Sequence, residues 1–273
     1  MIFWCEQHCT LHTVIVYTFK MSSLDYLLLF FAVLIGGGLA FYLRRNDRKL
    51  IQLLLSFSGA YILGITFLHL VPETYDGSAN IGFFVLGGFF VQLLLEQLSR
   101  GVEHGHIHAV SNTNTAAAMA IMIGLCLHAF IEGLPLDIIE HHHHGHEHGV
   151  EHEHLESGVN HLLFAIVLHK IPAAFALGVL LLLSKFKDST VIMYLVIFGT
   201  MSPLAAAIGG FLFNNSWLTN DMIAAIMAIV IGSFLHIATT ILFETDTNHK
   251  IPFNKLMAIL IGLGIAVLTV QFG

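Results

Sequence analysis

Charge is the scarcest feature of this chain: Asp, Glu, Lys and Arg make up 11% of its 273 residues, against roughly 25% in soluble domains. With 56% hydrophobic residues and a mean hydropathy of +0.80, a water-soluble globule is excluded. Also lacking is the ~10-residue alternation of polar and apolar positions that marks a membrane β-barrel. The apolar runs are unbroken and close to the ~20 residues that cross a bilayer core. Lys and Arg number only 11, against 18 Asp and Glu, and no nucleic-acid partner is implied. The net charge of -7 comes largely from acids set among histidines in one loop. Cysteine is limited to Cys5, Cys9 and Cys126. No disulfide framework is readable, and Cys126, inside an apolar run, is expected to pack as a small hydrophobe.

What is present is an all-α, polytopic membrane pattern. Eight apolar spans are predicted, at 24–43, 51–71, 81–98, 116–139, 159–183, 191–213, 221–243 and 253–272. Cytoplasmic loops collect Lys and Arg, which tests the segmentation independently of hydropathy. Arg44, Arg45, Arg48 and Lys49, Arg100, Lys185 and Lys187, and Lys250 all fall in loops of one parity, with Lys255 at the same end of the eighth span. The opposite loops, 72–80, 140–158 and 214–220, contain none, so both termini are expected outside the cytoplasm. Residues 1–20, with Cys5, His8, Cys9 and His12, read as an uncertain leader ahead of Met21, and 21–273 as the transmembrane domain. Compactness and the lack of a clear long targeting region point to a bacterial inner membrane. Glycines cluster at Gly36-Gly37-Gly38, Gly87-Gly88, Gly209-Gly210, and Gly262 with Gly264, as expected where helix backbones approach closely. Val71-Pro72-Glu73-Thr74 is faintly echoed by Leu242-Phe243-Glu244-Thr245 on an oppositely directed span, as an inverted repeat would require.

Ionisable residues within lipid are costly, so each needs a partner or a task. The fourth and fifth spans hold the densest set. His128 and Glu132 are four residues apart, which places them on one helix face about 6 Å apart along the axis. Pro135 follows. In the fifth span His169 and Lys170 precede Pro172, which is expected to open the hydrogen-bond ladder at the carbonyl of Leu168. Taken singly, His128 reads equally well as a satisfied structural histidine, and Glu132 as a partner of Lys170. Two imidazoles and a carboxylate on adjacent spans, however, suit a borderline divalent ion such as zinc. His69 and Glu73 repeat the four-residue spacing around Pro72, either as a ligand pair on an ion pathway or as a water-facing helix end. His236 reads as an interhelix hydrogen-bonding group, and Gln92, Glu96 and Glu244 as interfacial residues.

Residues 140–154, EHHHHGHEHGVEHEH, form a metal-collecting tract of eight histidines and four glutamates: His141, His142, His143, His144, His146, His148, His152 and His154 supply the imidazoles. Its low complexity favours several weak, interchangeable sites over one rigid cage. A pH sensor is the competing reading, because imidazole titrates near pH ~6.5 and metal competes with protons. His104, His106 and His108 are candidate acceptors on the opposite side.

These residues resemble the motifs of the ZIP family of divalent-metal transporters. His128-Ala129-Phe130-Ile131-Glu132-Gly133 is similar to the family's His-x-x-x-Glu-Gly, and His169-Lys170-Ile171-Pro172-Ala173-Ala174 to its His-x-x-Pro-Glu-Gly. His69-Leu70-Val71-Pro72-Glu73 is similar to the second-span signature. The resemblance implies an eight-span bundle with inverted repeats and import of zinc or a related metal, with ligands from the fourth and fifth spans. Ala173 stands where many members carry Glu, Ala129 follows the fourth-span His, and Ser202 precedes Pro203 where two-metal members are acidic. These departures resemble a subset whose fifth span also reads His-Lys-x-Pro-Ala-Ala. The expectation is therefore a single-ion site of His128, Glu132 and His169, with Lys170 in place of a second cation and His69, Glu73, Ser202 and His236 along the pathway. Zinc is expected as transported substrate rather than prosthetic group, with Fe2+, Mn2+ or Cd2+ as alternative cargo. Divalent ions and the lipid bilayer are the expected partners, and a homodimer is compatible. Two other functions use the same ligand types, an intramembrane zinc hydrolase and a metal-efflux carrier. The hydrolase is disfavoured by the absence of an HExxH motif and of a separate general base.

Overall fold

The computed structural model describes residues 21–43, 48–75, 80–102, 115–139, 161–243 and 252–272. The leader, the histidine tract at 140–158, the His104–His108 trio and Glu244 lie outside the described residues. Among the described residues, eight helices are long and apolar enough to cross a membrane: Ser23–Leu43, Lys49–Thr74, Ile81–Ser99, Thr115–Ile138, His161–Leu183, Asp188–Asn214, Asn220–Phe243 and Phe253–Phe272. They match the expected spans to within about one helical turn, the sixth starting one turn early at Asp188, whose carboxylate suits a helix N-terminus.

The helices fall into two sets. The first packs on the fifth and sixth, and the fourth on the sixth; separately, the third packs on the seventh, and the second on the eighth and seventh. The sets meet where the second helix touches the fifth and the third touches the fourth. Exchanging the first three helices with the last three, and the fourth with the fifth, turns first-on-fifth into sixth-on-fourth and third-on-seventh into eighth-on-second. All four pairings are extensive. The fifth helix is the most enclosed and the eighth the least.

Lipid tails are as apolar as leucine, so hydrophobicity does not hold these helices together; close packing of small residues does. The third and seventh helices approach reciprocally. A Cβ at Gly88 would strike the Ile229 backbone, with Cα and C 2.7 Å away, and one at Gly232 would strike Val85 and the Phe89 nitrogen at 2.6 Å. Gly36 likewise admits the Ile171 carbonyl, and Gly133 the backbone of Ser202. By contrast Gly38, Gly87 and Gly264 meet nothing, so three of the four glycine clusters make an interface only in part, whereas Gly209 and Gly210 both pack closely, against Leu134 and Asp137. Gly88→Ala is expected to cost about 1–3 kcal/mol through overpacking, read as earlier thermal unfolding of the detergent-solubilised protein. Unchanged unfolding would contradict this account of the interface.

Proline acts differently in each span. Before Pro72 the second helix widens into a π-turn, Thr66–Leu70, with the Val71 amide donating to Thr66 O. The Thr66 hydroxyl also bonds Ile62 O at 2.7 Å, adding to the local distortion. The fourth helix stops at Gly133, turns at Leu134-Pro135 and resumes at Leu136–Ile139. Pro172 and Pro203, however, lie inside continuous α-helices. The expected interruption at Pro172 is therefore no more than the loss of one ladder bond.

Candidate metal site between the fourth and fifth helices

Because His128 and Glu132 are one turn apart, the fourth helix presents both to the fifth. His128 Nε2 lies 3.3 Å from Glu132 Oε2. Lys170 reaches across from the fifth helix and its Nζ pairs with Glu132 Oε1. The same ammonium sits over the ring of Phe198 on the sixth helix, 4.9 Å from its centroid, a cation–π contact. His169 turns its ring edge to that of His128, with centroids 6.1 Å apart and planes at 85°. His128, Glu132, His169 and Lys170 are each no more than 3% exposed.

This cluster holds a carboxylate matched by an ammonium, with two imidazoles beside it. Burying either charge alone would cost several kcal/mol, so the pair explains how both are tolerated at this depth. For two imidazoles sharing one zinc at ~2.1 Å bonds in tetrahedral geometry, ring centroids would be roughly 5 Å apart. The 6.1 Å found here is about 1 Å wider. Among the described residues no three His, Cys, Asp or Glu side chains already stand around one metal position. An ion seated between His128 Nε2 and Glu132 Oε2 would have to draw His169 inward and would share Glu132 with the Lys170 ammonium on its other oxygen.

Ser202 on the sixth helix is fully buried; its hydroxyl donates to Ala129 O at 2.6 Å and lies 3.4 Å from Glu132 Oε1. It thus ties the sixth helix to the turn that carries Glu132. Gln92 was expected at the interface with water, yet it is fully buried. Its Oε1 faces His128 Nδ1 at 3.1 Å and accepts from the Ser233 hydroxyl at 3.0 Å. Sequence reasoning missed it because glutamine near a span end ordinarily reaches for headgroups; close packing of the third helix on the seventh at Gly88 and Gly232 and on the fourth at Gly124 encloses it instead. Glu96 is also partly buried, and its Oε2 lies 2.5 Å from His236 Nε2, so His236 makes the interhelix contact its position suggested.

Near the C-terminal end of the second helix, His69 Nδ1 is 3.2 Å from Glu73 Oε1, both partly exposed. The His69 ring also meets that of His161, at the start of the fifth helix, with centroids 4.8 Å apart and planes at 87°. These residues are distinct from the fourth-and-fifth-helix cluster. Asp137, another buried acid, accepts from the Met21 amide at 2.9 Å and lies 3.4 Å from the Tyr26 hydroxyl, tying the start of the first helix to the end of the fourth span.

Comparison with known proteins agrees with this architecture. The model of the family described as ZIP zinc transporter matches residues 103–269, a stretch that includes His128, Glu132, His169 and Lys170. Zinc transporter ZIP1 of Danio rerio is 22% identical over 258 residues, covering 77% of this chain and 81% of the relative. Zinc transporter ZIP9 of Micropogonias undulatus is 26% identical over 166 residues, 59% of this chain and 50% of the relative. Protein zntD of Dictyostelium discoideum is 26% identical over 162 residues, 55% of this chain but only 22% of the relative. With eight membrane-length helices among the described residues and a family match over more than half its length, the chain belongs to the ZIP zinc transporter family and is a divalent-metal transporter rather than an enzyme.

Proposed function

We propose that the chain carries zinc toward the cytoplasm through a single-ion site formed by His128, Glu132 and His169. The observation that carries this reading is the buried cluster in which Lys170 occupies one oxygen of Glu132 while the other faces His128 Nε2. Two nitrogens and one carboxylate oxygen suit zinc, and an incomplete ligand set suits a cargo that must be released. Iron, manganese and cadmium are weaker candidates on the same ligand chemistry.

In the empty state the Lys170 ammonium offsets Glu132; an arriving cation takes over that task. His69 and Glu73 form a station on the approach, with His236 and Ser202 further along the pathway. The histidine tract at 140–158, on a loop free of Lys and Arg, gathers ions outside. The charge asymmetry of the loops supports this orientation, with both termini outside, and the compact chain suits a bacterial inner membrane. All the site residues come from one chain, so a homodimer would contain two such sites.

Accumulation of radioactive zinc in cells expressing the protein tests direction and site together. Import raises cellular zinc above that of control cells, and His169→Ala returns it to background. Efflux would lower it, and full accumulation by the His169 variant would remove that residue from the site.

A further inference from the structure

We infer that Gln92 and Ser233, on the third and seventh helices, are positioning residues that prepare His128 to bind the cargo ion. The inference rests on the proposed role of His128 as a ligand. Imidazole binds a metal through a nitrogen without a proton, so when Nε2 binds, the ring proton must reside on Nδ1, and a group there must accept it. Oε1 of Gln92 occupies that place, 3.1 Å from Nδ1. It is held by the Ser233 hydroxyl at 3.0 Å, and both residues are buried, Gln92 completely.

The consequence appears on the other side of the ring. With its proton on Nδ1, Nε2 is a bare lone pair 3.3 Å from a carboxylate oxygen. Two acceptors that close repel one another until a cation comes between them, so the arrangement is primed for an ion. The supporting groups come from the opposite helix set, across the seam between the third and fourth helices. Ring orientation, and with it cargo affinity, thus depends on a contact outside the helices that carry the ligands.

Zinc-uptake kinetics separate this role from simple packing. Gln92→Leu fills the space without an acceptor and is expected to raise KM about 10- to 100-fold, the usual loss when the outer partner of a ligating histidine is removed, with Vmax within about twofold. Gln92→Glu restores an acceptor at Nδ1 and is expected to keep KM within about threefold of the parent, as carboxylate-supported zinc histidines do. Ser233→Ala should raise KM by roughly threefold, a partial loss of the same support. Equal KM increases in folded Gln92→Leu and Gln92→Glu would reduce Gln92 to a packing residue and overturn the proposal, as would an unchanged KM in Gln92→Leu. If Gln92→Leu does not fold, KM values of Gln92→Glu and Ser233→Ala decide in the same way: an unchanged Ser233→Ala or an impaired but folded Gln92→Glu defeats it. His128→Ala run in parallel isolates the underlying assignment. Full uptake by that variant removes the site itself, whereas its loss beside an unaffected Gln92→Leu removes only the positioning role.

Discussion

Replacing Glu132 by alanine is expected to reduce zinc uptake at least ~100-fold. Structural zinc sites gain ~10–16 kcal/mol from four ligands, so each ligand is worth roughly 3 kcal/mol, about two orders of magnitude in affinity. Among the described residues Glu132 is the acid of the cluster, the group that both Lys170 and His128 face. The alanine variant also strands the Lys170 ammonium, 1% exposed, an uncompensated buried charge that costs ~3–5 kcal/mol. Glu132→Gln therefore accompanies it, keeping the volume and a hydrogen-bonding oxygen while removing the charge. If the folded glutamine variant transported zinc at the parental rate, Glu132 would not be a ligand.

Substituting Lys170 by methionine is expected to have the opposite effect on affinity. The ion would no longer compete with an ammonium for Glu132, and zinc should bind about tenfold more tightly. This is a modest fraction of the ~4 kcal/mol between unit charges 4 Å apart at an effective dielectric of 20. Tighter binding slows release, so maximal uptake should fall. Without metal the variant contains a buried, unmatched carboxylate and should lose ~3–5 kcal/mol of stability, which saturating zinc restores by mass action. Thermal unfolding of purified protein with and without zinc reads this directly. The stabilisation by zinc should be larger in the variant than in the parent, and equal stabilisation in both would refute the counter-cation role of Lys170.

The eight spans found among the described residues were legible in the sequence because bilayer thickness sets the length of an apolar run that crosses it. The four-residue steps His128–Glu132 and His69–Glu73 also carried over into side-chain proximity, since helical periodicity alone brings such residues together. Contacts between helices were less accessible. Gln92 meets His128 where Gly124 lets the fourth helix close on the third, and Ser233 where Gly88 and Gly232 let the third and seventh helices close up; nothing local to Gln92 announces those approaches. His161 was overlooked for a related reason: its ring meets that of His69, remote in sequence. At Pro172 the expected opening of the ladder leaves the rod intact, because proline in a helix interior removes one donor without necessarily breaking the helix, and the fifth helix runs on through it.

The pairing of Lys170 with Glu132 also has an electrical consequence. Acid and base cancel, so a site without cargo contributes no net charge from this pair. Membrane voltage, worth ~2.3 kcal/mol per elementary charge per 100 mV, would then exert no force through the pair on an unladen reorientation. A divalent passenger adds two charges, and an inside-negative potential would pull on the laden step alone.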